Sequence, residues 1–171
     1  AEGGDYISWK EGDDLPEFLA KYSVNFPSIQ GCTFSPYGGS SSPVMENEAF
    51  SFVVTLLPGY TNSIITVKAN GVVLFRSSGV YTVSSITENI NITVEDITPN
   101  EYVVKFVSDN DVLSERYDFH YGDIPAPPIN PEKAPTETKT FSFIGWDKEL
   151  LPISSDVTFY ALYQESTRYY S

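Results

Sequence analysis

The chain has one histidine, so a Ser-His-Asp triad would have to be built around it. His120 lies between Asp118 and Asp123, which supply the carboxylates that a Ser-His-Asp triad requires. However, the pattern of the surrounding residues predicts that His120 is in the middle of a strand, and no serine stands in the sharp strand-to-helix turn that exposes a nucleophile. We therefore expect no catalytic residues, interpret His120 as a solvent-facing strand residue, and predict that the protein is not an enzyme.

The residue types of the chain also do not predict a metal or cofactor site. The single histidine and the single cysteine, Cys32, cannot form a zinc site of several His and Cys ligands, and Cys32 is expected to be a small buried residue. Asp109, Asn110 and Asp111 offer oxygen ligands for calcium, but they lack the glycine and the distal glutamate of an EF-hand loop and are interpreted as a hairpin turn. We expect no metal and no cofactor.

Charge and composition limit the class of partner. Ten basic and 23 acidic residues give the 171-residue chain a formal net charge of −13. Nucleic acid is excluded as a partner because phosphate binding requires clustered Lys and Arg. The sequence contains no apolar run of about 18 residues, so no membrane insertion is predicted. Hydrophobic residues make up 41% of the chain and aromatic residues 15%, which is enough for a core and favours β-structure.

Aromatic side chains are the strongest binding signal in the sequence. Tyrosine rings can stack on sugars or pack against proteins, and the tyrosines considered are Tyr37, Tyr60, Tyr81, Tyr160, Tyr169 and Tyr170. From these, Tyr37, Tyr60, Tyr169 and Tyr170 are selected as ligand-binding candidates. The alternative, that most of these rings belong to core or sheet faces, is left open.

Residues 1–30 form an N-terminal segment with two interpretations. Leu15, Phe18, Leu19 and Tyr22 recur at the spacing of one face of a short helix. Alternatively, the stretch YISWKE echoes FIGWDKE near the end of the chain, which would make the segment a remnant of a preceding repeat. The sequence therefore predicts a short helical or irregular segment here.

Residues 31–98 carry the pattern of an antiparallel β-domain. After a loop or short strand at 31–48, the apolar runs AFSFVVTLL, SIITVKANGVVLF, GVYTVSS and NINITVEDI are separated by turn signals. Asn70 and Gly71 lie between two of these runs and supply the positive φ angles of a type I′ hairpin turn. This organisation predicts an immunoglobulin-like sandwich.

Residues 99–171 are predicted to form a second β-domain, beginning at the turn cluster ITPNE. YVVKFV and VLSERYDFHY are predicted strands, and in the second of them Tyr117, Phe119 and Tyr121 alternate with other residues and should share one aromatic face. The segment 125–135 contains five prolines, which cannot donate ladder hydrogen bonds, so it is predicted to be an extended crossover. TKTFSFIGW and DVTFYALY close the domain.

Gly145 and Trp146 are predicted to be structural. The strand after them places Val157, Phe159, Ala161 and Tyr163 on one inward face. Gly145 would allow a bend or a close approach at the strand end, and Trp146 would then cover the open end of a small core. The sequence favours this role for Trp146 over a role as a ligand platform.

The order of these parts resembles the Listeria–Bacteroides repeat, the β-grasp-like module also called the internalin B-type repeat. The similarity covers residues 102–163: YVVKFV, the polar turn SDNDV, Tyr121-Gly122, the proline-rich crossover, FSFIGWDKE and SSDVTFYALY. The crossover INPEKAPTETKT is longer and richer in proline than the family pattern. The family occurs in tandem on large bacterial surface proteins, acts mostly as a spacer or adhesion module, and carries no catalytic constellation. Immunoglobulin-like domains often precede such repeats.

The resemblance implies a non-enzymatic, extracellular module at a bacterial cell surface that spaces or presents a binding surface. Its partners would be neighbouring modules of the same chain and a host protein or glycan. Two alternatives remain open: a structural or decoration protein of a phage virion, and a carbohydrate-binding module that uses exposed aromatic residues.

Overall fold

The computed structural model describes residues 19–169, and the regular structure in this range consists of β-strands. In chain order they are β1 (Lys21–Tyr22), β2 (Val24–Asn25), β3 (Cys32–Pro36), β4 (Val44–Met45), β5 (Phe50–Leu56), β6 (Thr66–Ala69), β7 (Val72–Leu74), β8 (Tyr81–Val83), β9 (Ile90–Glu95), β10 (Tyr102–Ser108), β11 (Asp111–Phe119), β12 (Lys139–Trp146) and β13 (Val157–Thr167). The mainly β class is thus confirmed, and the strands from β5 to β13 lie where alternation and turn residues predicted them.

The strands form several sheets. The sheet orders are β1-β4, β3-β5-β8, β2-β9-β6-β7 and β11-β10-β13-β12. The predicted N-terminal helix lies largely on residues outside the described range. Tyr22, the last residue of the predicted helix, belongs instead to β1 and pairs with Val44. A helix of two turns is not stable by itself in water, whereas pairing with β4 gives this segment backbone hydrogen bonds.

The described chain divides into two compact units. The first comprises residues 19–27, Phe34–Val53 and Val67–Thr93, and the second comprises Ser28–Thr33, Val54–Thr66 and residues 94–169. The boundaries predicted at 30 and 98 remain a prediction.

The first unit is built around a group of aromatic rings. Phe26 stacks on Phe34 with 5.0 Å between ring centroids and lies 5.3 Å from Phe52. Phe52 in turn stacks on Tyr81 at 5.6 Å. Tyr81 is only 6% exposed, so it is a core residue and cannot be part of the binding face for which the sequence made it a candidate.

The four-stranded sheet β11-β10-β13-β12 belongs to the second unit and has a parallel pair at its centre. β10 and β13 run parallel, with Val104 opposite Val157 and Phe106 opposite Phe159. Each central strand also pairs with an antiparallel partner, β11 for β10 and β12 for β13. One face of this sheet is packed and the other, which we call the open face, carries the alternate residues of the same strands.

The packed face holds the core of the second unit. Phe106 stacks on Phe159 at 4.9 Å, and Trp146 meets Phe106 edge-on at the same centroid distance. Trp146 also contacts Phe143 edge-on at 5.3 Å and packs against the buried cluster to which Ile153 belongs. Such ring geometries are favourable beyond the area they bury, and they fit a structural role for Trp146.

Gly145 bends β12 immediately before this tryptophan. Its φ angle is +135°, and the register between β12 and β13 shifts between Phe143 and Gly145. A Cβ atom built at Gly145 would meet no atom within 4 Å. The glycine is therefore required by its backbone conformation at a bulge and not by a close approach.

A buried asparagine ties a loop of the second unit to the start of β10. Asn100 is 5% exposed; its Oδ1 accepts a hydrogen bond from the Asn62 amide at 2.9 Å, and its Nδ2 donates to Thr61 Oγ1 at 2.9 Å and to the Tyr102 hydroxyl at 3.1 Å. The Asn100 amide donates to the Gly59 carbonyl. We call this arrangement the Asn100 knot; it lies within the turn cluster that the sequence marked as a domain joint.

The proline-rich crossover lies against the packed face with a period of three residues. Pro125 is buried and Pro128 and Pro131 are half-buried, whereas the residues between them, such as Ile129, are exposed. Three residues per turn is the period of the polyproline II helix, which needs no internal hydrogen bonds. The crossover is therefore extended, as its prolines predicted. Near its end, Lys133 Nζ lies 4.4 Å from the Phe141 ring centroid.

Candidate functional site

The open face of the four-stranded sheet brings together side chains from three neighbouring strands. Lys105 on β10 lies opposite Glu115 on β11 and Thr158 on β13. Because side chains alternate along a strand, Tyr117 shares this face with Glu115, and Tyr160 shares it with Thr158. The face is therefore a mixed surface of aromatic, charged and hydroxyl groups.

A salt bridge organises the middle of the open face. Lys105 Nζ lies 2.8 Å from Glu115 Oε1. A hydrogen bond from Lys105, followed by one from Tyr117, lowers the pKa of Glu115. The same contact with Glu115 raises the pKa of Lys105, and a hydrogen bond to Glu115 raises the pKa of Tyr117. At neutral pH the groups therefore form an ammonium–carboxylate pair with a neutral phenol beside it.

A groove of about 300 Å³ runs between Tyr117 and the start of β13. Its lining residues are Val103, Lys105, Glu115, Tyr117, Asp156, Val157 and Thr158. Asp156 Oδ1 accepts a hydrogen bond from the Val103 amide at 2.8 Å, which fixes the carboxylate at the end of the groove. The groove thus combines one aromatic wall with hydrogen-bond donors and acceptors, which is the usual make-up of a small-ligand site.

Tyr160 lies further along the open face and is held by its neighbours. Its amide donates to Asp147 Oδ1 at 2.8 Å, and Lys148 Nζ lies 5.4 Å from its ring centroid. Burial alone would raise the pKa of Asp147, but hydrogen bonds from the Tyr160 amide and Lys148 outweigh it and lower that pKa. Lys148 thus covers part of the Tyr160 ring, whereas the Tyr117 side chain is 61% exposed.

The tyrosines selected from the sequence have different surroundings in the structure, and their role in ligand binding stays a prediction. Tyr37 is exposed in the first unit. In the second unit, Tyr60 is half-buried beside Gly31, and Tyr169 is 87% exposed beyond the end of β13. Tyr170 lies outside the described residues. Within residues 19–169, none of the contacts between aromatic rings involves Tyr37, Tyr60 or Tyr169.

Asn70 and Gly71 form the turn between β6 and β7. Both have positive φ angles, +48° and +83°, as a type I′ turn requires. The Asn70 side chain also reaches β9: its Oδ1 accepts from the Asn91 amide at 2.7 Å, and its Nδ2 donates to the Asn89 carbonyl at 2.8 Å. Asn70 therefore shapes the hairpin and fastens it to the neighbouring strand.

The region around His120 differs from the sequence prediction in one respect. β11 ends at Phe119, so His120 lies in a turn and not in the middle of a strand; its amide donates to Asp123 Oδ2 at 2.7 Å. Because the Asp123 carboxylate accepts the His120 amide hydrogen, this amide does not continue the hydrogen bonds between β10 and β11. The alternation pattern of the sequence could not reveal this contact. Asp118 is paired with Arg116 instead. Within residues 19–169, no group of three or more His, Cys, Asp or Glu side chains is arranged to hold a metal.

The aromatic face predicted for β11 is also wrong. Phe119 packs against the core cluster, whereas Tyr117 lines the groove on the open face. The register between β10 and β11 shifts between Tyr102 and Val104, and such a bulge sends the residues before and after it to opposite faces. Tyr121 instead lies against Gly59, beyond the end of the strand.

Sequence reasoning did not identify Lys105, Glu115 and Asp156 as neighbours. The predicted hairpin gave a weak signal for the first two, since opposite charges on paired strands stabilise each other. Asp156 joins them only through the parallel pairing of β10 and β13, which has no local sequence signature.

Comparison with protein-family models and with curated proteins found no match to this chain. The resemblance to the Listeria–Bacteroides repeat therefore stays a prediction. Among the described residues, none forms a helix of the length and apolar character needed to cross a membrane.

Proposed function

We propose that this chain is a non-enzymatic spacer and adhesion module of a larger bacterial surface protein. We also propose that the mixed four-stranded sheet is β-grasp-like and that the preceding strands form an immunoglobulin-like sandwich. A parallel pair at the centre of the four-stranded sheet supports the first assignment. The partners would be neighbouring modules of the same chain and a ligand outside the cell.

The observation that carries the spacer role is the direction of β10 and β13. The chain enters the sheet at Tyr102, the first residue of β10, and leaves it at Thr167, the last residue of β13. Because these two strands are parallel neighbours, tension between the two points pulls the strands past each other. All the evenly spaced hydrogen bonds of the pair are then loaded together, whereas an antiparallel hairpin pulled at its open end breaks one bond at a time.

The Asn100 knot adds to this resistance. It fastens Asn100, two residues before β10, to the loop containing Thr61 and Asn62, so that the start of β10 is held in place. Both features fit a load-bearing link in an extended surface protein.

Single-molecule pulling of the full chain tests this proposal. In a Cys32→Ser background, handles attached through Glu101→Cys and Thr167→Cys would load β10 and β13 in shear. Handles attached through Lys139→Cys and Thr167→Cys would open the antiparallel β12–β13 pair from its end, where these two residues lie opposite each other. The shear geometry should rupture at a clearly higher force, since forced unfolding is governed by the barrier to the first opening step.

The released length identifies the event that is measured. The residues between the shear handles should extend to about 220–240 Å at ~3.3–3.6 Å per residue, and the measured release is this length less the folded distance between the handles. Equal rupture forces in the two geometries would contradict a load-bearing role. Light scattering on a sizing column then separates the virion alternative, because a monomer fits a link in a covalent array and a closed trimer or larger ring fits a symmetric capsid or tail assembly.

A further inference from the structure

We propose that the groove on the open face, between Tyr117 and Asp156, binds a neutral oligosaccharide. This inference rests on the adhesive part of the proposed function and gives it a ligand class. It does not depend on the load-bearing role, which the pulling experiment measures separately.

The shape of the groove suits a short sugar chain. Tyr117 forms one wall and is largely exposed, so its ring is accessible for stacking. The volume of about 300 Å³ lies at the lower end of the ~300–1,000 Å³ typical of small-ligand sites. Tyr160 lies on the same face, on the other side of Lys105. The usual spacing between strands and rise per residue place it about 16 Å from Tyr117. A chain of several sugar rings that begins in the groove can therefore reach Tyr160.

The hydrogen-bonding groups of the groove match sugar hydroxyls. A hydroxyl both donates and accepts hydrogen bonds, and the groove supplies acceptors in Glu115 and Asp156, a donor in Lys105 and a group of both kinds in Thr158. Asp156 Oδ1 is used by the Val103 amide. Within the described range, no hydrogen bond or ion pair occupies Asp156 Oδ2, which leaves an acceptor at the end of the groove.

Charge decides that the ligand is neutral. Lys105 is already neutralised by Glu115 at 2.8 Å, so the groove has no free cation for a phosphate, sulfate or uronate group. Asp156 and the net charge of −13 oppose an anionic ligand further. A basic peptide would find only the carboxylate of Asp156, because Lys105 and Glu115 pair with each other, whereas sugar hydroxyls can form hydrogen bonds with all three groups.

The test is a titration of the full 171-residue chain followed by nitrogen–proton NMR. The probes are cellohexaose, laminarihexaose, maltohexaose, xylohexaose and N-acetylchitohexaose, each to millimolar concentration, with hexalysine as the charged peptide probe. We expect at least one sugar to shift the amide signals of Lys105, Glu115, Tyr117 and Thr158.

Matched substitutions locate the binding. Tyr117→Ala should weaken the affinity about tenfold, because one stacked ring is lost, whereas Tyr117→Phe keeps the ring and should weaken it far less. Phe75→Ala, which removes an exposed aromatic ring outside the groove, should leave the affinity unchanged. A thermal melt of each variant verifies that it is folded.

Three outcomes would overturn the inference. The first is the absence of shifts with every sugar. The second is binding that persists at full strength in folded Tyr117→Ala, or shifts confined to residues outside the groove. The third is a response to hexalysine alone, which would make the groove an electrostatic peptide site. Each of these results leaves the rupture-force comparison between the two pulling geometries unaffected.

Discussion

Replacing Asn100 by alanine should destabilise the second unit more than any other single change of a polar side chain described above. The substitution removes three side-chain hydrogen bonds, to the Asn62 amide, the Thr61 hydroxyl and the Tyr102 hydroxyl. Each such bond contributes ~0.5–1.5 kcal/mol net. Thr61 and Asn62 are exposed and can recover water as a partner, so we expect a loss of about 2–3 kcal/mol in the free energy of unfolding.

Urea denaturation and hydrogen–deuterium exchange measure this effect. At a slope of ~1–3 kcal/mol per molar urea, the loss should lower the midpoint of the affected transition by roughly 1–2 M. Exchange should accelerate first at the amides of Asn62 and Asn100, whose hydrogen bonds belong to the knot. The matched control is Asn130→Ala, because Asn130 is exposed on the crossover and none of the hydrogen bonds found within residues 19–169 involves its side chain. Equal midpoints for the two variants, or unchanged exchange at Asn62, would refute the reasoning.

Three further changes follow from the packing and the electrostatics. Trp146→Ala should lower the free energy of unfolding by roughly 3 kcal/mol or more, because it leaves a cavity in the core, and Trp146→Phe should lower it by less. Equal calorimetric melting temperatures for Trp146→Ala and the unsubstituted chain would contradict the structural role. Gly59→Ala should cost about 2–4 kcal/mol, because its φ of +92° is strained for alanine and the new Cβ would lie 2.5 Å from a tyrosine Cβ. Gly122→Ala, with φ +88° and no atom near the new Cβ, should cost only about 1 kcal/mol, so similar chemical-denaturation midpoints for the two glycine variants would argue against the close contact. The pKa of Glu115 is lower in the folded protein, mainly because of Lys105, so the ionised carboxylate stabilises the fold above the ordinary pKa of 4.5 and this contribution is lost as pH falls through the folded pKa. Glu115→Gln should therefore make the free energy of unfolding less dependent on pH in this acidic range. An unchanged pH dependence would show that the Lys105–Glu115 pair contributes nothing to stability.

Local patterns were sufficient for the strands from β5 onward and for the turn at Asn70. The signals are local: apolar residues that alternate, an Asn-Gly pair and a proline-rich segment each determine the backbone conformation of a few neighbouring residues. The sequence alone therefore predicted most strands and the extended crossover. Trp146 was also interpretable, because a large ring beside a glycine at a strand end has few places to pack.

The remaining features depend on contacts between distant residues. The Asn100 knot joins residues 38 and 39 positions apart, and nothing near Asn100 in the sequence indicates its partners. The bulge that separates Tyr117 from Phe119 is a property of the paired strands and not of β11 alone. The groove requires the register of three strands at once, so its residues could be recognised only after the parallel pairing was known.

The parallel pairing at the centre of the sheet also has a consequence for the order in which the protein can fold during synthesis. Val103 on β10 and Asp156, the residue before β13, are joined by a hydrogen bond and are 53 residues apart in the chain. At ~5–20 residues per second, a ribosome needs about 3–11 s to supply the second strand after the first. During this interval the hairpin of β10 and β11 must leave the apolar side chains of Val104 and Phe106 without their partners. The nascent chain is therefore most vulnerable to aggregation at this hairpin, and the supply of β13 sets the earliest moment at which the vulnerability ends.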